Sequence, residues 1–333
     1  MGIRKQKVLT VWLKNGLIDQ DNYAFLSGST TSQPLMIKKM LLEDARKFGK
    51  PIVLMDVDFS KAYDSTEKFA KELSLKRMGF PKEGLEMWRL YDDKRRMKIL
   101  TAHGLTEPVT PECGCWGQGA EESPLGWLSF MCWMSDYIKE TKNIDPYSYT
   151  VNEEKEIHAH KVIYADDGTY VSQTKEGMQK IANAIADFST ATGIIVKPEK
   201  SYVYSNIENV EIKIDTYKGN GKYKLGQPRT TTLVNVTEKS MWRHLGNIQN
   251  ANGTTVLGDT VMYDGTKHQG IMSKINTLTT VMQKKKLSGG GALRAISCVL
   301  YPKAMYPLIY SNAKESRYTN KIQNKIDQVL KKK

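Results

Sequence analysis

The chain of 333 residues reads as an α+β protein built on an antiparallel sheet. Three observations carry that reading. A buried-strand pattern from Pro51 to Phe59 is interrupted by two carboxylates, Asp56 and Asp58. A second, from His160 to Ser172, is interrupted by the adjacent acids Asp166 and Asp167. That strand runs into an amphipathic helix with apolar positions Met178, Ile181, Ile185 and Phe188, and Ile194 to Tyr204 forms the return strand. Strand, helix, strand with acids on the first is the pattern of an α+β core. The length predicts about two domains.

The remaining elements follow from local chemistry. The first 48 residues read mainly as helix: Val8, Leu9, Trp12 and Leu13 share one face, and Leu35, Met36, Met40 and Leu41 share another. Leu26 to Pro34 between them has loop composition. A helix is expected from about Ser65, with serine as the cap and Glu67 in the first turn. Leu85 to Leu90 reads as helical. Met97 to Ala102 and Pro108 to Gly114 flank His103-Gly104 as a hairpin. Ser123-Pro124 opens a further helix, serine capping and proline in the first turn, with Leu125, Leu128, Cys132 and Tyr137 on its buried side. Gly193 stops the helix after Ser172, because glycine accepts positive φ. Residues 230–262 read as hairpin and 266–333 as a basic helical subdomain.

Composition excludes several classes. Hydrophobic residues make up 40 % and charged residues 26 %, the profile of a globular chain. No apolar run approaches the roughly 20 residues of a membrane helix. The basic start lacks the apolar stretch of a secretory signal. Cys113, Cys115, Cys132 and Cys298 show no C-x-x-C spacing, against a disulfide scaffold or zinc ribbon, and Cys113 with Cys115 reads as a reduced pair in a hairpin strand. The net charge is +13, and residues 251–333 hold 14 Lys or Arg against 4 Asp or Glu, so most of the excess sits in the C-terminal quarter. Lys284, Lys285, Lys286, Arg294 and Lys303, interleaved with Tyr301, Tyr306 and Tyr310, make nucleic acid the leading partner.

The interrupting carboxylates point to the chemistry. Acids in apolar strands are costly unless paired or put to use. Asp167-Gly168 alone reads as a hairpin turn. Two strands that each deliver a carboxylate change that reading, since a hard cation such as Mg²⁺ takes oxygen ligands and completes its shell with water and substrate phosphates. Two such ions can clamp the attacking and leaving oxygens of a phosphoryl transfer. With a basic flank, nucleotidyl transfer leads.

At these residues the sequence resembles the reverse transcriptases of non-LTR (LINE-type) retrotransposons. Asp58-Phe-Ser-Lys-Ala-Tyr-Asp64-Ser resembles motif A, Gln118-Gly119-x-x-x-Ser123-Pro124 motif B, and Tyr164-Ala-Asp-Asp167 motif C. Gly193 to Ser201 resembles motif D, and His244-Leu245-Gly246 the primer grip of motif E. Upstream, Tyr23-Ala-Phe25 with Gly28-Ser-Thr30 is similar to the fingers segment before motif A. The resemblance implies a right-hand polymerase fold with an antiparallel-sheet palm, partial helical fingers and a basic helical thumb. It divides the chain into partial fingers at 1–50, palm with the rest of the fingers at 51–229, a primer-grip hairpin at 230–262 and thumb at 263–333.

The resemblance also implies roles. Asp58 and Asp166 would hold two Mg²⁺ ions (or Mn²⁺), with Asp167 beside them and Asp56 a neighbour. Phe59, Tyr63, Gln118 and Gly119 would line the nucleotide site, Tyr63 as the steric gate against a ribose 2′-OH. Asp64 would brace the motif A turn. Lys200 would assist the pyrophosphate leaving group. Leu245 and Gly246 would contact the primer. The implied partners are an RNA template, a DNA primer and dNTPs, together with other domains of a larger polyprotein, and the implied location is intracellular and nuclear, with no membrane.

The pattern departs from the family in places. Ala120 stands where an acid is common, Lys197 where asparagine is common, and Leu26 where a basic residue is frequent. The chain begins where the fingers are already under way, and no endonuclease or RNase H domain fits in the remainder. The rival readings are a catalytically weak or inactive domesticated protein that binds nucleic acid, an RNA-dependent RNA polymerase, and a nuclease. His158 and His160 read as a polar strand edge, and Trp116, Trp127 and Trp133 as core around the motif B helix.

Overall fold

A computed structural model describes residues 2–110, 116–117, 120–152, 155–216, 229–237, 240–245, 247–250, 253–285, 287–309, 311 and 315–331. The chain separates into two compact units, Met1–Pro34 with Gly49–Asn235, and Leu35–Phe48 with Val236–Lys333. The first 50 residues are divided, and most of the helix Ser32–Phe48 belongs with the C-terminal unit.

The first unit is organised by a five-stranded sheet in the order Val234–Val236, Tyr202–Ser205, Val53–Val57, Asp167–Ser172, Lys161–Tyr164. Val53–Val57 is central and antiparallel to both neighbours, with Val53 opposite Ser205 on one side and Ser172 on the other. All five of its residues are buried, Asp56 included, which is why the other four are apolar. Val53, Met55 and Val57 join the core formed with Met178, Ile181, Ile185 and Phe188 of the Lys175–Thr192 helix. The Ser123–Glu140 helix lies in the same core and is buried nearly all round, from Leu125 through Met134. Gly126 makes room for an indole there: a Cβ at this position would lie 1.9 Å from the Trp116 ring.

Several local expectations are corrected. The segment His160 to Ser172 is a hairpin rather than one strand, and its turn is Ala165-Asp166, with Tyr164 opposite Asp167 and Ile163 opposite Gly168. The Asp-Gly pair lies in the strand after the turn. The helix expected from Ser65 runs Lys68–Arg77, preceded by a single turn at Ala62–Ser65; the Ser65 hydroxyl donates to the Ser60 carbonyl at 3.1 Å instead of capping. Ser123 is also no cap, since its hydroxyl donates to the Gly117 carbonyl at 2.7 Å. The helix around Leu85 is longer than expected, Lys82–Lys94, and the following hairpin pairs Leu100 with Leu105. Its expected arm beyond residue 110, with Cys113 and Cys115, lies outside the described residues.

The return strand is broken into Ile195–Val196 and Tyr202–Ser205 by a 3-10 turn at Pro198–Lys200. Gly193 does end the preceding helix, at φ 79°, and Thr174 caps its start by accepting from the Gly177 amide at 3.0 Å. Leu13, Met36, Met40 and Tyr137, expected on buried faces, are exposed.

In the second unit the helices Ile271–Lys284, Gly289–Ala295, Tyr301–Ile309 and Glu315–Leu330, with a π-turn at Ile296–Leu300, enclose a core of Ile271, Ile275, Met282, Leu300, Leu308, Ile322 and Ile326. The hairpin Met241–His244 with Asn247–Asn250 belongs to the same unit, and the Lys38 ammonium of the Ser32–Phe48 helix lies 5.5 Å over its Trp242 ring.

Candidate active site

Strand register brings the two carboxylate segments together. Val57 lies opposite Gly168, so the next residue, Asp58, falls opposite Asp167 and beside the turn residue Asp166. Ala165 is in the left-handed region at φ 57°, a conformation a non-glycine residue holds only where its surroundings enforce it. Burial pushes the Asp166 carboxyl above the usual carboxylate range, and the Asp58 charge adds to that shift while Lys197 opposes it. The two acids therefore share one electrostatic environment, as a cation site requires. Among the described residues, no three His, Cys, Asp or Glu side chains come close enough to hold a metal by themselves.

Behind Asp58 a short two-stranded ladder pairs Phe59 with Val196 and Ser60 with Ile195. Continued by one residue, it sets Lys197 opposite Asp58. The Lys197 amide donates to the Asp58 carbonyl at 2.8 Å. The Ser201 hydroxyl accepts from the Asp58 amide at 3.1 Å and donates to the Lys197 carbonyl at 2.8 Å. The Lys197 ammonium lies 3.6 Å from Asp58 Oδ2, with the side chains 27 % and 31 % exposed. Lys200, the lysine singled out in the sequence, is exposed on the 3-10 turn. Within the segment that resembles motif D, Lys197 rather than Lys200 lies beside Asp58. Sequence reading noted it only as a departure, because the ladder that aims it at Asp58 joins segments far apart in the chain.

Tyr63 is half-buried and stacks on Trp127, ring centroids 4.9 Å apart at an interplanar angle of 21°. Burial, and after it the Asp166 charge, raise its phenol well above the ordinary tyrosine value, so the ring remains neutral. The Tyr63 carbonyl accepts from the Trp116 amide at 3.0 Å, and the Trp116 indole is buried against Gly126. Trp127 as the backing of Tyr63 is a second residue that sequence reading placed only as core. Phe59 is 3 % exposed and belongs to the core. Asp56 accepts a hydrogen bond from Thr169 and is buried within the sheet.

Asp64 follows Lys61 (φ 46°), and its amide donates to the Lys61 carbonyl at 2.7 Å within the motif A turn. Gln118, Gly119 and Gly246 lie outside the described residues. His158 is exposed; burial, then Lys161, lower the His160 imidazole to about 4, and neither joins a metal-holding group.

In the second unit Leu245 is at φ 45° in the turn between His244 and Asn247, and its carbonyl accepts from the Tyr306 hydroxyl at 2.9 Å. Lys284, Lys285, Arg294, Tyr301 and Lys303 are exposed. Burial lowers the Lys274 ammonium, and the charges of Arg243 and Lys303 lower it further, marking a concentration of positive charge. No described helix is long and apolar enough to cross a membrane.

Residues 4–254 match the family model described as reverse transcriptase (RNA-dependent DNA polymerase). The chain is 23 % identical over 245 residues to the retrovirus-related Pol polyprotein from type-1 retrotransposable element R2 of Nasonia vitripennis, a match covering 72 % of this chain and 22 % of that protein. It therefore spans about a fifth of that relative's length. Among solved structures, the telomerase of Candida tropicalis in complex with a fragment of telomeric RNA is similar at TM-score 0.50 and 11 % identity, over 99 % of this chain and 47 % of that one. The telomerase of Candida albicans gives TM-score 0.48 at 11 % identity, over 99 % and 51 %. The α+β fold is the right-hand polymerase fold, and the chain belongs to the reverse transcriptase (RNA-dependent DNA polymerase) family, in its non-LTR retrotransposon branch.

Proposed function

We propose that this chain is an RNA-directed DNA polymerase core that adds deoxynucleotides to a primer 3′-OH. The observation that supports the reading is the electrostatic coupling of Asp58 and Asp166, which follow and precede paired antiparallel strands, with the ring of Tyr63 under the same Asp166 charge. The donor set suits Mg²⁺, which needs one or two carboxylates and takes the rest of its shell from water and substrate phosphates. Asp58 and Asp166 would hold the ions. Bound divalent ions supply Lewis acidity to the attacking and leaving oxygens of phosphoryl transfer.

The protein's own residues do the rest. The primer 3′ oxygen forms a bond to the α-phosphorus, the bond to the β-phosphate oxygen breaks, pyrophosphate departs and the hydroxyl proton goes to solvent. Tyr63, its plane set by Trp127, stands as the bulk that a ribose 2′-OH would meet. The exposed cations of the second unit suit phosphate contacts, which hold a duplex without reading its sequence. Template RNA, DNA primer and dNTPs are the proposed partners, within a larger polyprotein that acts on chromosomal DNA in the nucleus.

The test is extension of a DNA primer on an RNA template with Mg²⁺, comparing wild type with D58N and D166N. Dependence on both acids and a preference for dNTPs over NTPs that falls in Y63A are expected. Salt-sensitive duplex binding without any extension would overturn the catalytic reading and leave a binding protein.

A further inference from the structure

Lys197 lies directly opposite Asp58, one of the two candidate cation ligands. Three contacts hold it there: the ladder through Val196 and Phe59, the hydrogen bond that the Lys197 amide donates to the Asp58 carbonyl, and the Ser201 hydroxyl that joins both backbones. At 3.6 Å from Asp58 Oδ2 the ammonium is beyond hydrogen-bond distance, so the contact is purely electrostatic and a competing cation can break it. A Mg²⁺ ion on that carboxylate would sit about 2.0–2.1 Å from its oxygen, close enough to the ammonium for strong like-charge repulsion. The two cations cannot share Asp58 cheaply.

We propose that Lys197 is a resident counter-ion of the carboxylate pair, one that a divalent cation must displace from Asp58, and that this residue therefore sets the affinity of the site for its metal. Lys197 is a positioning and tuning residue, not a ligand. Its charge satisfies Asp58 before the metal arrives and raises the metal concentration at which the site fills. A neutral asparagine would leave the acid unopposed. The inference rests on the reading of Asp58 and Asp166 as cation ligands.

The experiment is titration of Mn²⁺ into the full chain without nucleic acid, following free Mn²⁺ by electron paramagnetic resonance. Wild type is compared with D166N, K197N, K197Q, K197R and K200N, each checked for an unchanged near-ultraviolet circular dichroism spectrum. Binding is expected to weaken at least about tenfold in D166N and to tighten about 3- to 10-fold in K197N and K197Q. K197R, which keeps the charge, and K200N, which alters the exposed lysine, are expected to stay within about twofold of wild type. An affinity in the folded neutral variants equal to or weaker than wild type overturns the proposal. Binding that ignores the loss of Asp166 overturns the ligand reading itself, and the role of Lys197 falls with it.

Discussion

The chain twice reverses direction through a two-residue turn whose first residue is a non-glycine in the left-handed region: Ala165 at φ 57° between Tyr164 and Asp167, and Leu245 at φ 45° between His244 and Asn247. The supports differ. The strand leading to Ala165 starts at Lys161, fully buried, whose ammonium lies 2.9 Å from Asp19 and 3.0 Å from Asp21. The main chain of Asp21 and Tyr23 adds two hydrogen bonds to Ile163. At the Leu245 hairpin the Tyr306 hydroxyl donates to the turn carbonyl. The turn that presents a buried acid is clamped by charges out of water, whereas the Leu245 turn is met by a neutral hydroxyl.

Breaking the clamp gives the largest expected effect. K161M leaves Asp19 buried without its main partner and is expected to destabilise the first unit by about 3–5 kcal/mol; Y306F, the matching lesion at the other hairpin, is expected to cost about 1 kcal/mol. Urea unfolding of both variants checks the contrast, and equal losses would refute it.

The clamp also has a pH signature. Burial alone would raise the Asp19 carboxyl, but the Lys161 charge, with hydrogen bonds from Lys161 and Lys139, holds it at about 2 against an ordinary 3.8. A folded-state value below the unfolded one means stability that is complete above pH ~4 and lost as pH falls toward 2, about 2 kcal/mol in all. Urea midpoints across that window are expected to fall in wild type and to fall less in D19N. The smallest expected effect is relief of the left-handed residues: A165G and L245G should each gain about 0.5–1 kcal/mol, visible as a small rise in melting temperature. A loss at either site would show that the side chain does more by packing than it costs by strain.

Much of this architecture was legible from local pattern. Carboxylates inside apolar strands marked the site, and Gly193 marked a helix end, because each signal is contained in a few neighbouring residues. The misplaced turn shows the limit. Asp167-Gly168 has stronger hairpin chemistry than Ala165-Asp166, but the register with Val53–Val57 and the buried Lys161 decide where the chain reverses. Lys161 acquires its role only when Asp19, 142 residues away, is brought to it. Lys197 and Trp127 escaped for the same reason, since each acquires its role from a partner on another element. The fate of Gln118, Gly119 and Gly246 is not among the features the structure describes.

The division of the chain has a consequence for its biosynthesis. The central strand Val53–Val57 finds its partners only at Asp167–Ser172 and Tyr202–Ser205, and the Ser32–Phe48 helix belongs with a unit completed after residue 236. On the ribosome, both segments emerge long before anything they pair with. The nascent chain must carry an apolar strand and an amphipathic helix unpartnered through most of translation, so folding is late and cooperative, and early truncations expose sticky surface. For such a chain the order of synthesis runs against the order of assembly, and holding chaperones are expected to meet its first sixty residues more often than its last.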